Sequence, residues 1–173
     1  MTILVIVAIA VIALLAYAAT RADTFRIERS TSINAVPDAI FSLLTDFRRW
    51  AEWSPWEKLD PDLKRTHSGA TDGKGAVYAW EGNKKVGAGR MEITQVVPPS
   101  RVVIKLDFLR PFEAHNVTEF TLAAGGTATR VIWAMTGVNN FMGKLMSVFM
   151  NMDKMVGKDF ETGLANLKAV AEK

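Results

Sequence analysis

The sequence predicts an α+β domain: an antiparallel sheet of about six or seven strands, one face covered by a long C-terminal helix, preceded by a separate apolar helix. Three observations predict it. The first 20 residues hold no Lys, Arg, Asp or Glu, although 23% of the 173-residue chain is charged. Residues 25–138 hold short segments of alternating polarity divided by Gly, Pro and Asn. From Phe141 to Leu167 the apolar residues recur in steps of three and four, the spacing of a helix face.

The 21 basic and 18 acidic side chains all fall after Thr20, where they make up about a quarter of the residues, an ordinary soluble composition. About 150 residues suffice for one domain with a full core. Disorder, collagen and multi-span membrane classes are excluded. No cysteine is present, which excludes disulfides, thiol catalysis and thiolate metal sites and leaves the redox compartment open. The net charge of +3 is small and scattered, so it gives no reason to expect a nucleic-acid partner.

Residues 1–20 read as a transmembrane anchor or a signal segment. Ile3 to Ala19 is 17 unbroken apolar residues, and a 20-residue helix spans about 30 Å, one hydrocarbon core. Ala16-Tyr17-Ala18 fits a small-x-small cleavage site, which speaks for a signal peptide and a secreted or periplasmic domain. The missing basic n-region and the long apolar run favour an uncleaved single-pass anchor. Arg21, Arg26 and Arg29 follow the segment and no basic residue precedes it, a slight lean to a cytoplasmic domain. Residues 21–24 form the linker and residues 25–173 the domain.

Phe25 to Ile33 alternates as a strand. Asn34 to Asp38 is a turn and helix start, with Pro37 tolerated in the first turn. Ile40, Phe41, Leu43, Leu44 and Phe47 mark a short amphipathic helix. Trp50 to Pro61 is irregular, and Pro55 ends any helix there at about Ser54. Strands follow at Ala76–Glu81, Val86–Val97, Val102–Phe108, Glu113–Leu122 and Thr129–Val138, with Leu63–Ser68 a further candidate. Gly82-Asn83, Pro98-Pro99-Ser100, Leu109-Arg110-Pro111 and Gly125-Gly126 supply the turns. Asn139 is the expected N-cap of one continuous helix of about 30 residues. A sheet wrapped on so long a helix can leave a ligand space between them.

This order and several stretches resemble the helix-grip fold of the START/birch-allergen-like (SRPBCC) superfamily, and within it the bacterial polyketide cyclase/dehydrase-like branch, related to homologues of the Hsp90-ATPase activator. The stretches are Phe25-Arg26-Ile27-Glu28-Arg29-Ser30, Trp53-Ser54-Pro55-Trp56-Glu57, Gly73 to Trp80, Gly87 to Ile93 and Val156 to Glu161. The resemblance covers roughly residues 25–170. It implies an internal hydrophobic cavity and carries over no catalytic residue, since the superfamily shares a cavity and no common catalytic set.

The ligand-contacting candidates are Trp53, Trp56, Tyr78, Trp80, Met91, Phe108, Asn116, Trp133, Met135, Phe149 and Met152. Trp50, Trp53 and Trp56 read as an aromatic lip over a cavity mouth or as a packed corner. Alternation turns Asn116 and Thr118 toward the helix within an apolar row, where they bond a ligand or each other or the backbone. Five methionines lie between Met142 and Met155. Their flexible side chains suit an adaptable cavity, a lipid contact or a packed helix end. His67 and His115 lack metal-ligand spacing, so no metal and no cofactor is expected. Arg90 and Glu92 are either a solvent-face pair or charges buried in the cavity.

Three functions fit. The first is a membrane-anchored, monomeric domain that binds or transports a small hydrophobic or amphipathic ligand. The second is a cyclase, dehydratase or hydrolase in which Tyr78, Arg90, Glu92 and Asn116 would be the candidate groups. The third is a co-chaperone-like protein-interaction module. No catalytic motif marks an enzyme.

Overall fold

The structure, a computed structural model, describes residues 2–173. Helix α1 (Thr2–Ala19) stands apart from the domain, exposed over nearly its whole length. It is long and apolar enough to cross a membrane. A buried helix needs an apolar stripe and a surface helix a polar face; α1 is apolar all round. Strand β1 (Thr24–Ile33) follows, then α2 (Pro37–Thr45), α3 (Trp50–Trp53) and a tight turn at Pro55–Lys58.

Six more strands come next: β2 (Lys64–Gly69), β3 (Ala76–Glu81), β4 (Ala88–Val97), β5 (Arg101–Arg110), β6 (Ala114–Gly125) and β7 (Ala128–Val138). They form one seven-stranded sheet in the order β1-β7-β6-β5-β4-β3-β2, every pair antiparallel. Short hairpins join consecutive strands, whereas β1 and β2 lie at opposite edges. The chain between them crosses the inner face as α2 and α3. The seventh strand is the Leu63–Ser68 candidate, displaced by one residue.

The C-terminal helix is broken, contrary to expectation. Helix α4 (Phe141–Phe149) and helix α5 (Met152–Ala171) meet at Met150 and Asn151, both extended (φ −126°, ψ 130° and φ −85°, ψ 92°). The Asn151 side chain accepts from Lys154 N at 3.0 Å and caps α5. Apolar steps of three and four continue through the break, so periodicity alone could not reveal it. Asn140 caps α4 in place of the expected Asn139, accepting from Gly143 N at 2.8 Å. Asn139 instead bonds the linker, donating to Ala22 O and, through its backbone N–H, to Asp23 O.

Helix α5 grips the inner face of the sheet and α4 packs against α1. Arg29 of β1 bridges to α5, donating to Asp153 and Glu161. Gly157 leaves room for that guanidinium, since a Cβ there would sit 2.0 Å from Arg29 Nη2. The core lies between the sheet and α2, α3 and α5, with Ile33, Ile40, Leu44, Ile93, Ile104, Phe120, Leu164 and Leu167 fully buried.

Candidate functional site

Strand alternation decides which side chains face α5. On β6, Asn116, Thr118, Phe120 and Leu122 are buried, and His115 and Val117 are exposed. The inward row on β7 is Val131, Trp133 and Met135, and on β5 it is Val102, Ile104 and Leu106. Arg90 and Glu92 lie on the outer face, paired at 2.7 Å. The reading that placed them inside the cavity is therefore corrected: Met91 and Ile93 occupy the inner positions of that strand.

The centre of the interior is filled by aromatic rings. Trp133 stacks on Phe160 of α5 at 4.1 Å, and Phe120, Trp53 and Trp56 surround it at 4.8, 5.6 and 5.7 Å. Gly163 makes this possible, since a Cβ there would meet Trp133 Cζ3 at 2.7 Å. Trp50 and Trp53 are one helical turn apart, with centroids at 4.8 Å. Their indoles donate to Leu44 O and Leu43 O. They pack as a corner inside the core, while Trp56 is half-buried beside them. The Trp133 indole N–H is buried with no hydrogen-bond partner, an arrangement that costs about 1–3 kcal/mol when unmet.

Inward side chains become more accessible toward one end of the sheet. Along β5 the exposure runs from 0% at Val102 and Ile104 to 9% at Leu106, and Phe108 is half-exposed. Along β7 it runs from 0% at Val131 through 2% at Trp133 to 6% at Met135. Asn116 and Met91 occupy the same level, each at 7%. The pairs Phe108–Ala114, Asn116–Gly137 and Thr24–Val138 show that this is the end where α1 enters. Met91, Phe108, Asn116 and Met135 therefore lie toward the α1 end of the inner face, with Trp80 beside Phe108 at 5.9 Å. Gly89 lets the Trp80 ring lie across its strand, where a Cβ would be 2.3 Å from it. Phe149 and Met152 stand outside this wall: Phe149 ends α4 at 70% exposure and Met152 begins α5 at 39%. The helix break carries both away from the interior.

A cluster of ionisable groups that the sequence spacing did not bring together sits at the β2–β3 edge. Tyr78 donates to Glu57 Oε1 at 2.5 Å, and Arg65 donates to Glu57 Oε2 at 2.6 Å. Burial, with the Glu57 carboxylate beside it, pushes the Tyr78 phenol up. The Glu57 hydrogen bond and charge raise Arg65 as well. His67 stacks on Tyr78 at 5.1 Å, and its Nε2 is buried without a partner. The register His67–Tyr78 was the signal that could have found this group, but it depends on a strand, β2, that was only a candidate. His67 and His115 lie on opposite faces, four strands apart, so they cannot share a metal. Among the described residues no group of three or more His, Cys, Asp or Glu is placed to hold a metal ion.

The model of the family described as "Polyketide cyclase / dehydrase and lipid transport" matches residues 24–172. No match was found among curated proteins. Solved structures share the fold at low identity. Ginseng major latex-like protein 151 from Panax ginseng is 13% identical with a TM-score of 0.62, covering 88% of this chain and all of that one (100%). The Aha1 dimer from Colwellia psychrerythraea is 17% identical with a TM-score of 0.58, covering 86% and 96%. The di-domain ARO/CYC BexL of the BE-7585A biosynthetic pathway is 15% identical with a TM-score of 0.64, covering 92% of this chain and 53% of that one. With a seven-stranded antiparallel sheet gripping a C-terminal helix and a family match from β1 to the end of α5, the chain belongs to the polyketide cyclase/dehydrase and lipid transport family.

Proposed function

We propose that this chain is a membrane-tethered monomeric domain that binds and carries a small apolar or amphipathic molecule between its sheet and α5. The rise in exposure along the inward rows of β5 and β7 supports this reading, because a ligand would enter where the inner face is least tightly covered. Leu106, Met91 and Met135 supply the apolar wall, flexible at both methionines. Asn116 supplies a polar contact among them. Deeper in, the partnerless Trp133 N–H is a donor that a ligand carbonyl or hydroxyl would satisfy. Family membership supports a carrier, and residues 1–20 supply the tether.

Native mass spectrometry of the full chain released from mild detergent tests this. The expected result is a co-purified lipid or metabolite, absent from Leu106→Trp, in which the added ring fills the entrance. Repeated absence of any bound species, together with apolar-dye binding no stronger than that of Leu106→Trp, would overturn the proposal.

The Glu57–Tyr78 pair favours a second reading, an enzyme of cyclase, dehydratase or hydrolase type, because a carboxylate bonded to a buried phenol is a candidate proton-transfer couple. Glu57→Gln separates the two readings. A carrier keeps its ligand unchanged in that variant, whereas an enzyme accumulates unconverted substrate.

A further inference from the structure

Sheet register gathers four chain segments at the entrance end. The pairs Thr24–Val138, Phe108–Ala114 and Glu81–Ala88 place the start of β1, the end of β7, the β5–β6 turn and the β3–β4 turn side by side. This end carries large apolar side chains in the open: Leu109, Phe112 and Val138, then Phe141, Met142 and Phe149 of α4. The exposed Lys84, Lys85 and Arg21 stand among them. Of its acidic groups, Asp23 is paired with Lys144, Glu81 with Arg110, and Glu113 lies 3.4 Å from His115; Asp60 is buried and accepts from Asn83 N, and Asp62 is exposed. The opposite end closes on Gly73, Pro98, Pro99 and Gly126. No side chain of α4 is buried, so the domain core does not explain its apolar surface.

The position of α4 fixes what covers it. It packs against the last turns of α1, where Ala18 is buried and Leu14 half-buried. Asn139 bonds Ala22, Lys144 pairs with Asp23, and Arg21 donates to Ser147. In a spanning α1, Leu14 to Ala18 lies within about 9 Å of the end of the span, at 1.5 Å per residue. A helix packed there sits at the boundary of acyl chains and headgroups, the depth of an interfacial amphipathic helix. Adjacent basic side chains add attraction to anionic headgroups.

We propose that the α1 end of the domain is a bilayer-docking surface, with α4 lying in the interface and the Phe112 tip reaching the same level. This inference rests on reading residues 1–20 as an uncleaved anchor and deepens the carrier function. The entrance lined by Phe108, Asn116 and Met135 then faces lipid, and an apolar ligand moves between bilayer and sheet without crossing water.

The absence of cysteine from the chain permits single nitroxide labels on the full-length protein. The sites are Val7→Cys, Phe112→Cys, Phe149→Cys and, at the opposite end, Ala124→Cys, all on exposed positions. In phosphatidylcholine–phosphatidylglycerol vesicles, collision rates with oxygen and with a nickel chelate report depth. The expected result is strong nickel exclusion at Val7, Phe112 and Phe149, several-fold below Ala124. Exclusion at Val7 with Phe112 and Phe149 as accessible as Ala124 would overturn the docking surface and leave the anchor standing. Nickel access at Val7 would remove the anchor and this inference with it. Spin–spin broadening at Phe149 that disappears on dilution with unlabelled chain would assign the face to a second copy, which also overturns the proposal.

Discussion

A methyl group at Gly163 would lie 2.7 Å from the Trp133 ring, and one at Gly157 would lie 2.0 Å from the Arg29 guanidinium. Both glycines are in α5, where Ala is favoured over Gly by about 1 kcal/mol. The neighbours differ in their ability to yield. Trp133 is clamped between Phe160 and Phe120, whereas Arg29 is the mobile end of a long side chain. Gly163→Ala is therefore expected to lower stability by a net ~1–3 kcal/mol in a denaturant melt, overpacking outweighing propensity. Gly157→Ala is expected to be near neutral in the same melt. It should displace Arg29 from Asp153 and Glu161. Asp159 gives a pH-dependent case, because burial pushes its carboxyl up and Lys158 offsets this only in part. Its folded-state pKa lies above the unfolded one, so its contribution is full below the unfolded value and is lost as pH rises through the folded one. Asp159→Asn should stabilise the fold slightly at neutral pH, by under about 1 kcal/mol given solvent screening, and raise the melting temperature accordingly. It should change nothing near pH 3, as thermal melts at the two pH values will show.

At the scale of elements, the break between α4 and α5 divides a helix into two with different duties. Helix α5 holds the sheet through Phe160, Leu164 and Leu167, and α4 turns away to α1. The Asn151 cap fixes the place of the break. Asn151→Ala should cost about 0.5–2 kcal/mol, the usual worth of an N-cap, read in a denaturant melt. The β3–β4 turn is set in a similar local way. Gly87 has a φ of 64°, and a Cβ there would meet Arg110 O at 2.2 Å. Only glycine takes that conformation and that closeness together.

At the scale of the molecule, α1 and the domain are nearly independent. Ala18 is the one residue of α1 that is buried, and the partner of α1 is α4. The core cluster runs from Ile27 to Leu167 and takes nothing from α1. The chain from Asp23 onward should fold and melt within about 5 °C of the full chain, as circular dichroism will show. A much larger fall would mean that α1 supports the core. β1 and β2 lie at opposite edges of the sheet, and α2 and α3 cross the inner face between them.

The sequence by itself determined the class of the fold, most of its elements and the direction of its side chains. Alternation on β6 placed Asn116, Thr118 and Phe120 inward, and an uncharged run of 20 residues separated α1 from the domain. These signals are local, so they are legible in order along the chain. Four features needed the tertiary structure. The helix break was hidden because its apolar spacing is continuous, and only the sheet and α1 pull the two halves apart. Phe149 and Met152 fell outside the wall for that reason. The Glu57–Tyr78–Arg65 group brings together residues 21 positions apart through a turn docked on an edge strand. The gradient of exposure along the inward rows depends on the register of six strand pairs, because position along a strand has no meaning for access until neighbouring strands fix which end is which.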